Sequence, residues 1–222
     1  MKRKAVVLLS GGLDSTVTLY LAMKDGYECE CLTFDYCQRH KNEVDRAAKI
    51  AGHAGVRHHI VKLEFPWKGS SLVDKSVNVP SGRSRSQIGS DIPSTYVPAR
   101  NTIFLSIAAS CAEATGSSLV YIGAHSEDSS GYPDCRKEYL EAFDRAIMLG
   151  TREGSAGRLR MRFPLISKTK KEIIRLGAAL GAPLQYTWSC YQAEAAPCGV
   201  CDSCVIRARG FEEAGIEDLS YA

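Results

Sequence analysis

The first 63 residues alternate between two periods of apolar and polar positions. Residues 4–9 form an almost unbroken apolar run, read as a buried strand, and residues 15–24 carry Val17, Leu19, Tyr20, Leu21 and Met23 on one broad helical side that stops at Gly26. Residues 27–35 alternate as a second strand. Residues 39–54 place Val44, Ala47, Ala48, Ile50 and Ala51 on the core side of a second helix, and residues 56–63 read as a third strand. From 64 to 98 neither period persists and Pro, Gly and Ser are frequent, so this stretch is expected to be a mobile cover over a site. Regular patterning returns with a helix at 100–115, a strand at 118–123, a helix at 137–148, a short strand at 160–165 and a helix at 168–180 whose Ile173, Ile174 and Leu176 face inward. The β-α-β-α-β order predicts an α/β fold with a doubly wound, mostly parallel sheet. Such sheets bind ligands at the C-terminal ends of their strands.

Composition narrows the picture. The 222 residues are 45% apolar, enough to bury a full core, and no apolar run approaches the ~18 residues that cross a bilayer. The start Met1-Lys2-Arg3-Lys4 and the five apolar residues after it mimic a signal peptide, but the apolar part is too short and runs into a glycine turn. A cytoplasmic protein without a membrane partner is expected. A net charge of +3 without a long basic tract suits a small anionic ligand, and no nucleic-acid partner is expected.

Two local patterns carry chemistry. Ser10-Gly11-Gly12-Leu13-Asp14-Ser15 sits where the first strand gives way to a helix. Its glycines let backbone N–H groups converge, and the helix presents its unpaired N–H groups and positive dipole end to the same point, which suits a phosphate. The Lys of a Walker A loop is missing. Four of the nine cysteines, Cys190, Cys198, Cys201 and Cys204, form C-x7-C-x2-C-x2-C, with Gly199 giving the turn its backbone freedom. Four thiolates close a tetrahedral shell, the pattern of structural Zn2+; an iron–sulfur cluster uses related spacing, but nothing else in the chain suggests electron transfer. Cys29, Cys31 and Cys111 read as small buried residues, and His40, His53, His58 and His59 as solvated or hydrogen-bonded side chains without ligand spacing.

The glycine turn resembles the S-G-G-x-D-S loop of the PP-loop ATP pyrophosphatases. Together with Asp35-Tyr36-Cys37-Gln38-Arg39-His40, Val97-Pro98-Ala99-Arg100-Asn101, Gly123-Ala124-His125-Ser126-Glu127-Asp128, Ser130-Gly131-Tyr132-Pro133-Asp134-Cys135-Arg136 and Thr187-Trp188-Ser189-Cys190, it closely resembles the 7-cyano-7-deazaguanine synthase family of queuosine biosynthesis, nearly end to end. One departure is Cys37, where the family pattern has glycine. The resemblance implies a carbon–nitrogen ligase that converts 7-carboxy-7-deazaguanine and ammonia to the nitrile, driven by ATP with Mg2+, in a zinc-containing homodimer. It implies a PP-loop domain over residues 1–186 and a zinc-binding segment over 187–222 packed on it.

On that basis the nucleotide is expected against Leu8, Leu9, Ser10, Gly11, Gly12, Leu13, Asp14, Ser15, Thr16, Val17 and Thr18, with the amides and the Ser10 and Ser15 hydroxyls on the β and γ phosphates. Asp14 either caps the helix or approaches Mg2+. Lys168 is expected against the departing phosphates, so that Asp14, Ser15 and Lys168 are the catalytic candidates, while Lys170 and Lys171 read as a solvated face. For the deazaguanine, Glu127, Asp128 or Asp134 is expected on the ring's N1 and 2-amino donors and Tyr132 on its face, with Arg136 close by. Arg100 and Asn101 meet phosphate or carboxylate, or form a structural ion pair. A tRNA-modifying relative would need a large basic RNA surface, and a zinc-ribbon interaction module would leave the whole sheet without a purpose; no glutaminase domain is visible, so free ammonia is the expected nitrogen source.

Overall fold

A computed structural model describes residues 2–39, 42–84, 87–125, 131–192 and 195–221. Five strands form one all-parallel sheet, ordered β3-β2-β1-β4-β5: β1 (Lys4–Leu8), β2 (Glu28–Asp35), β3 (Arg57–Lys62), β4 (Leu119–Tyr121) and β5 (Arg160–Arg162). The alternation of β1 decides the layers. Val6 and Leu8 pack with Leu105 and Ala108 of α3 (Arg100–Thr115) and Leu140 and Ile147 of α4 (Lys137–Gly150). Ala5 and Val7 pack on the opposite side with Leu19 and Ala22 of α1 (Leu13–Lys24) and Ala47 and Ile50 of α2 (Asn42–Ala54). The expected doubly wound sheet is therefore present. After β1 the chain winds outward through β2 and β3, then returns through α3 to β4 on the other side of β1. The strand order reverses at the β1/β4 junction, which is where such sheets open a crevice.

Several element ends differ from the sequence reading, each for a local reason. α2 begins at Asn42 because Tyr36, Cys37 and Gln38 turn first, with Cys37 at φ +60°, the left-handed region that a glycine would occupy without strain. Arg39 then donates to the carbonyls of Asp74, Lys75 and Val77. β4 stops at Tyr121 because Gly123 runs against α1, where a Cβ would lie 2.9 Å from the Asp14 carbonyl carbon. After a short α5 (Arg152–Ser155) and β5, α6 (Lys170–Ala179) starts at Lys170 because Thr169 and Glu172 close a capping box. α7 (Asp202–Ala214) starts after Cys201, carries Cys204 in its first turn and ends at left-handed Gly215; it packs Phe211 and Ala214 on α6 and on Leu13 and Val17 of α1.

The described part of residues 64–98 contains no helix or strand. It is tied down by an antiparallel bridge between Ser81 and Cys201, by Gly82 N–H donating to the Val200 carbonyl, and by Gln192 donating to the Val79 carbonyl. Cys29 and Cys31 are buried as expected, and burial pushes the Cys29 thiol up to about 12. His58 meets Thr33 and His59 meets Glu30, while His40 lies outside the described residues. Among the described residues no helix is long and apolar enough to cross a membrane.

Candidate active site

A cavity opens at the strand ends around the β1/β4 junction, bounded by the glycine loop, the 64–98 segment and the cysteine segment. The loop is shaped by its own hydroxyls. Ser10 N–H donates to Ser15 Oγ at 3.1 Å, Gly12 N–H donates to Ser10 Oγ at 3.2 Å, and Ser15 Oγ donates to the Gly12 carbonyl at 3.0 Å. A hydroxyl has one proton, so the 3.0 Å contact between Ser10 and Ser15 is donated by Ser10. Gly12 is the N-cap of α1 without any side-chain cap, and the first helical bond runs from Thr16 N–H to the Gly12 carbonyl. The earlier N–H groups of the first turn have no partner within the helix and present an anion site to the cavity.

Gly11 makes this curl possible. Its φ is +83°, and a Cβ there would stand 2.2 Å from the Glu43 carbonyl oxygen of α2. Gly11→Ala is expected to push the loop off α2. It should weaken Mg-ATP binding at least ~10-fold, the cost of a few kcal/mol of backbone strain and steric conflict, measured by calorimetric titration. Unchanged affinity would separate the loop's curl from nucleotide binding.

Asp14 does not cap α1. Its carboxylate accepts two hydrogen bonds from Lys170 Nζ, at 2.7 Å to Oδ1 and 2.9 Å to Oδ2, and Lys170 Nζ lies 2.9 Å from His125 Nε2. His125 is 1% exposed and Lys170 8%. Burial pushes the Asp14 carboxyl up, but the charges of Lys170 and His125 and the lysine hydrogen bond outweigh it and hold the carboxyl below its ordinary range. Lys170 is thus a correction to the sequence reading, which put it on a solvated face. The capping box makes it the first residue of α6, and its side chain turns into the cavity wall. Lys168, the expected phosphate lysine, precedes the cap, is half-buried and does not line the cavity.

The remaining expected residues divide clearly. Leu8, Leu9, Ser10, Gly12, Leu13, Asp14 and Ser15 line the cavity. Thr16 and Thr18 spend their hydroxyls on the Gly12 and Asp14 carbonyls, and Val17 faces the α6–α7 core. Arg100, Asn101 and Tyr132 are on the wall; Arg100 donates to the Tyr36 hydroxyl at 3.1 Å, and the Tyr132 hydroxyl lies 2.7 Å from Thr95 Oγ1. Asp134 is buried and accepts the Asn101 N–H at 2.9 Å, supplying the N-terminal acceptor that α3 otherwise lacks. Arg136 is exposed at the N-cap of α4, and Glu127 and Asp128 lie outside the described residues. Sequence reasoning missed His125, Arg83, Asp202 and Arg207, all of which belong to the site's framework. Arg83 makes a bidentate ion pair with Asp202, closing the 64–98 segment onto α7. Arg207, 2% exposed, binds Asp218, Thr187 and Ser189 and ties the end of the chain beneath the cavity.

The four cysteines form a second centre beside the first. Their Sγ atoms all lie within 4.8 Å of one another, and three of the residues are buried. A zinc ion with Zn–S of about 2.3 Å needs sulfurs about 3.8 Å apart, so the cluster fits a tetrahedral metal with a small contraction. Cys201 is the N-cap of α7 and Cys204 lies in its first turn, where the helix dipole favours thiolate. Trp188 N–H donates to the Gly11 carbonyl at 2.9 Å, joining the cysteine segment to the phosphate loop.

Three comparisons place this geometry among known proteins. The family described as "Queuosine biosynthesis protein QueC" matches residues 4–215. The chain is 51% identical over 218 residues to the 7-cyano-7-deazaguanine synthase of Trichodesmium erythraeum, covering 97% of this chain and 98% of that protein. It is 49% identical over 221 residues to the synthase of Thermoplasma acidophilum, covering 99% and 92%. Among solved structures it is similar in fold to NMN synthetase from Francisella tularensis, with a TM-score of 0.51 at 15% identity over 97% of this chain and 88% of that one.

Proposed function

The chain belongs to the QueC family of queuosine biosynthesis proteins, and from that premise we propose that it converts 7-carboxy-7-deazaguanine and ammonia to 7-cyano-7-deazaguanine at the expense of ATP. The observation that carries the reading is a hydroxyl-shaped loop of main-chain donors at the sheet's reversal point, with a buried lysine beside it.

The chemistry explains the need for such a site. A carboxylate resists ammonia because its oxygen is a poor leaving group. Attack of that oxygen on the α-phosphorus breaks the α–β anhydride, releases pyrophosphate and leaves an acyl adenylate. Ammonia then displaces AMP to give the amide, and a second activation, at the amide oxygen, lets that oxygen depart as the nitrile forms.

Each activation asks the protein to stabilise charge on a departing diphosphate. The loop and the first turn of α1 direct main-chain N–H groups there, Ser10 and Ser15 hold the loop open, and Lys170 adds a cation that costs no reorganisation because Asp14 already orients it. Asp14 is the carboxylate that would face the nucleotide's Mg2+, a cation that would screen the phosphates. Tyr132 supplies the aromatic face for the deazaguanine, Glu127 or Asp128 its edge acceptor, and Arg100 a cation for the substrate carboxylate. The four cysteines hold Zn2+, within a segment over 187–222 that belongs to the same folding unit, and the enzyme works as a cytoplasmic homodimer with free ammonia. Incubation with Mg-ATP, ammonium and 7-carboxy-7-deazaguanine is expected to give AMP and the nitrile only when all components are present. AMP formation that needs tRNA instead, or none at all, would overturn the assignment.

A further inference from the structure

Gly210 lies inside α7, two turns past the cysteines, and its backbone is not in the left-handed region. A glycine there costs about 1 kcal/mol relative to alanine and serves no turn. What it supplies is room. A Cβ at Gly210 would stand 2.4 Å from Lys170 Cγ, 3.1 Å from Lys170 Cβ and 2.9 Å from Ile174 Cδ1. The lysine stem therefore lies directly on bare α7 backbone, and the conflict falls on its first methylenes, which cannot swing aside as a flexible tip would. Gly177 of α6 differs, because a Cβ there would meet the apolar side chains of Val17 and Leu184.

We propose that Gly210 is a positioning residue for Lys170. Its missing side chain is the slot that lets the lysine stem lie against α7 and deliver Nζ to Asp14 and His125. The proposal rests on the reading that Lys170 acts on the nucleotide. Ordinary contact with a new methyl would move the stem by about 1 Å. The ammonium has no such slack: its contacts are 2.7 and 2.9 Å to Asp14 and 2.9 Å to His125, so it would leave hydrogen-bond range of at least one of them. By this route the helix that begins in the cysteine cluster sets the geometry of the phosphate end of the cavity.

The test is a mutant cycle on the full, metal-loaded chain. Ile174→Val removes the other atom closer than 3.0 Å, so in I174V/G210A the short contact that remains is with Lys170. Relative to I174V alone, I174V/G210A is expected to lower kcat for acid-dependent AMP release at least ~10-fold, as a misplacement of about 1 Å does, with metal content and KM for the deazaguanine acid unchanged. In an Ile174→Val/Lys170→Ala background, where both Ile174 Cδ1 and Lys170 Cγ are gone, adding G210A should cost nothing further, and any fall in Tm caused by G210A should largely vanish. Losses that multiply across the two sites, a Tm penalty that persists without Cγ, or a wild-type kcat in I174V/G210A would overturn the proposal. A wild-type kcat in K170A alone would instead overturn the reading of Lys170 on which it stands.

Discussion

Lys170→Met is expected to lower the rate of acid-dependent AMP formation by roughly 10²–10³-fold, the usual cost of deleting one preorganised donor from a charge-developing site. It should also destabilise the fold by about 3 kcal/mol, because the Asp14 carboxylate is left in the wall without its cation. That figure is the low end for a buried pair, since the Asp14 side chain is 23% exposed. The two effects separate in the double variant D14N/K170M. Neutralising Asp14 relieves the stranded charge and restores most of the lost stability, while the rate stays low. Should the double variant regain the rate as well, Lys170 would matter only as Asp14's partner.

The same pair has a signature in acid. Because the folded Asp14 carboxyl titrates below its ordinary value of 3.8, its stabilising contribution is complete above that value and is lost as pH falls through the lower folded one. Asp14→Asn should therefore flatten the stability profile below about pH 4 and leave the profile's slope near neutrality unchanged, measured by denaturant titration at each pH.

The second large effect concerns the metal. Cys201 is fully buried, heads α7 and bridges to Ser81, so Cys201→Ser removes one of the four proposed metal ligands at the point where α7 and the Ser81 segment meet. Structural zinc sites contribute on the order of 10 kcal/mol to the folding of small zinc peptides, comparable to the whole stability of a domain. The variant should lose its metal, and amide exchange should rise sharply in α7 and in residues 79–83, with the β1–β4 sheet protected longest. Elemental analysis of the unaltered protein should find ~1 zinc per chain and no visible absorption. A brown, iron-containing protein would replace zinc by a cluster, and a metal-free variant of full stability would remove the structural role.

The residues that were legible in the sequence act through local physics. The loop at 10–15 and α1 are adjacent in the chain, and the strand–glycine–helix order alone aims amides at one point. The cysteines announce themselves by spacing. Cys37 kept the left-handed turn expected of a glycine. Lys170 was not legible in that way, because it meets Asp14 across 156 residues and only after α6 docks on α1. A local clue did exist: Thr169 and Glu172 spell a capping box, which starts the helix at Lys170 and takes it off the solvated face. Asp134 reads as a loop carboxylate until α3 is seen to need an N-terminal acceptor. Arg83 and Asp202 are 119 residues apart, and Arg83 lies in a segment without helix or strand, so nothing local suggests their meeting. His125 follows β4 at a strand end, a position that marks ligand sites in this fold class, and it stands in one of the motifs that carry the family resemblance, but neither signal gives it a role.

The most direct test of the central claim is a crystal structure of the metal-loaded protein with Mg2+ and a non-hydrolysable ATP analogue. The account predicts the β and γ phosphates on the main-chain N–H groups of residues 11–15, with Lys170 Nζ within hydrogen-bond reach of a phosphate oxygen. A triphosphate bound away from that loop, or one seated there with Lys170 out of reach, would contradict it.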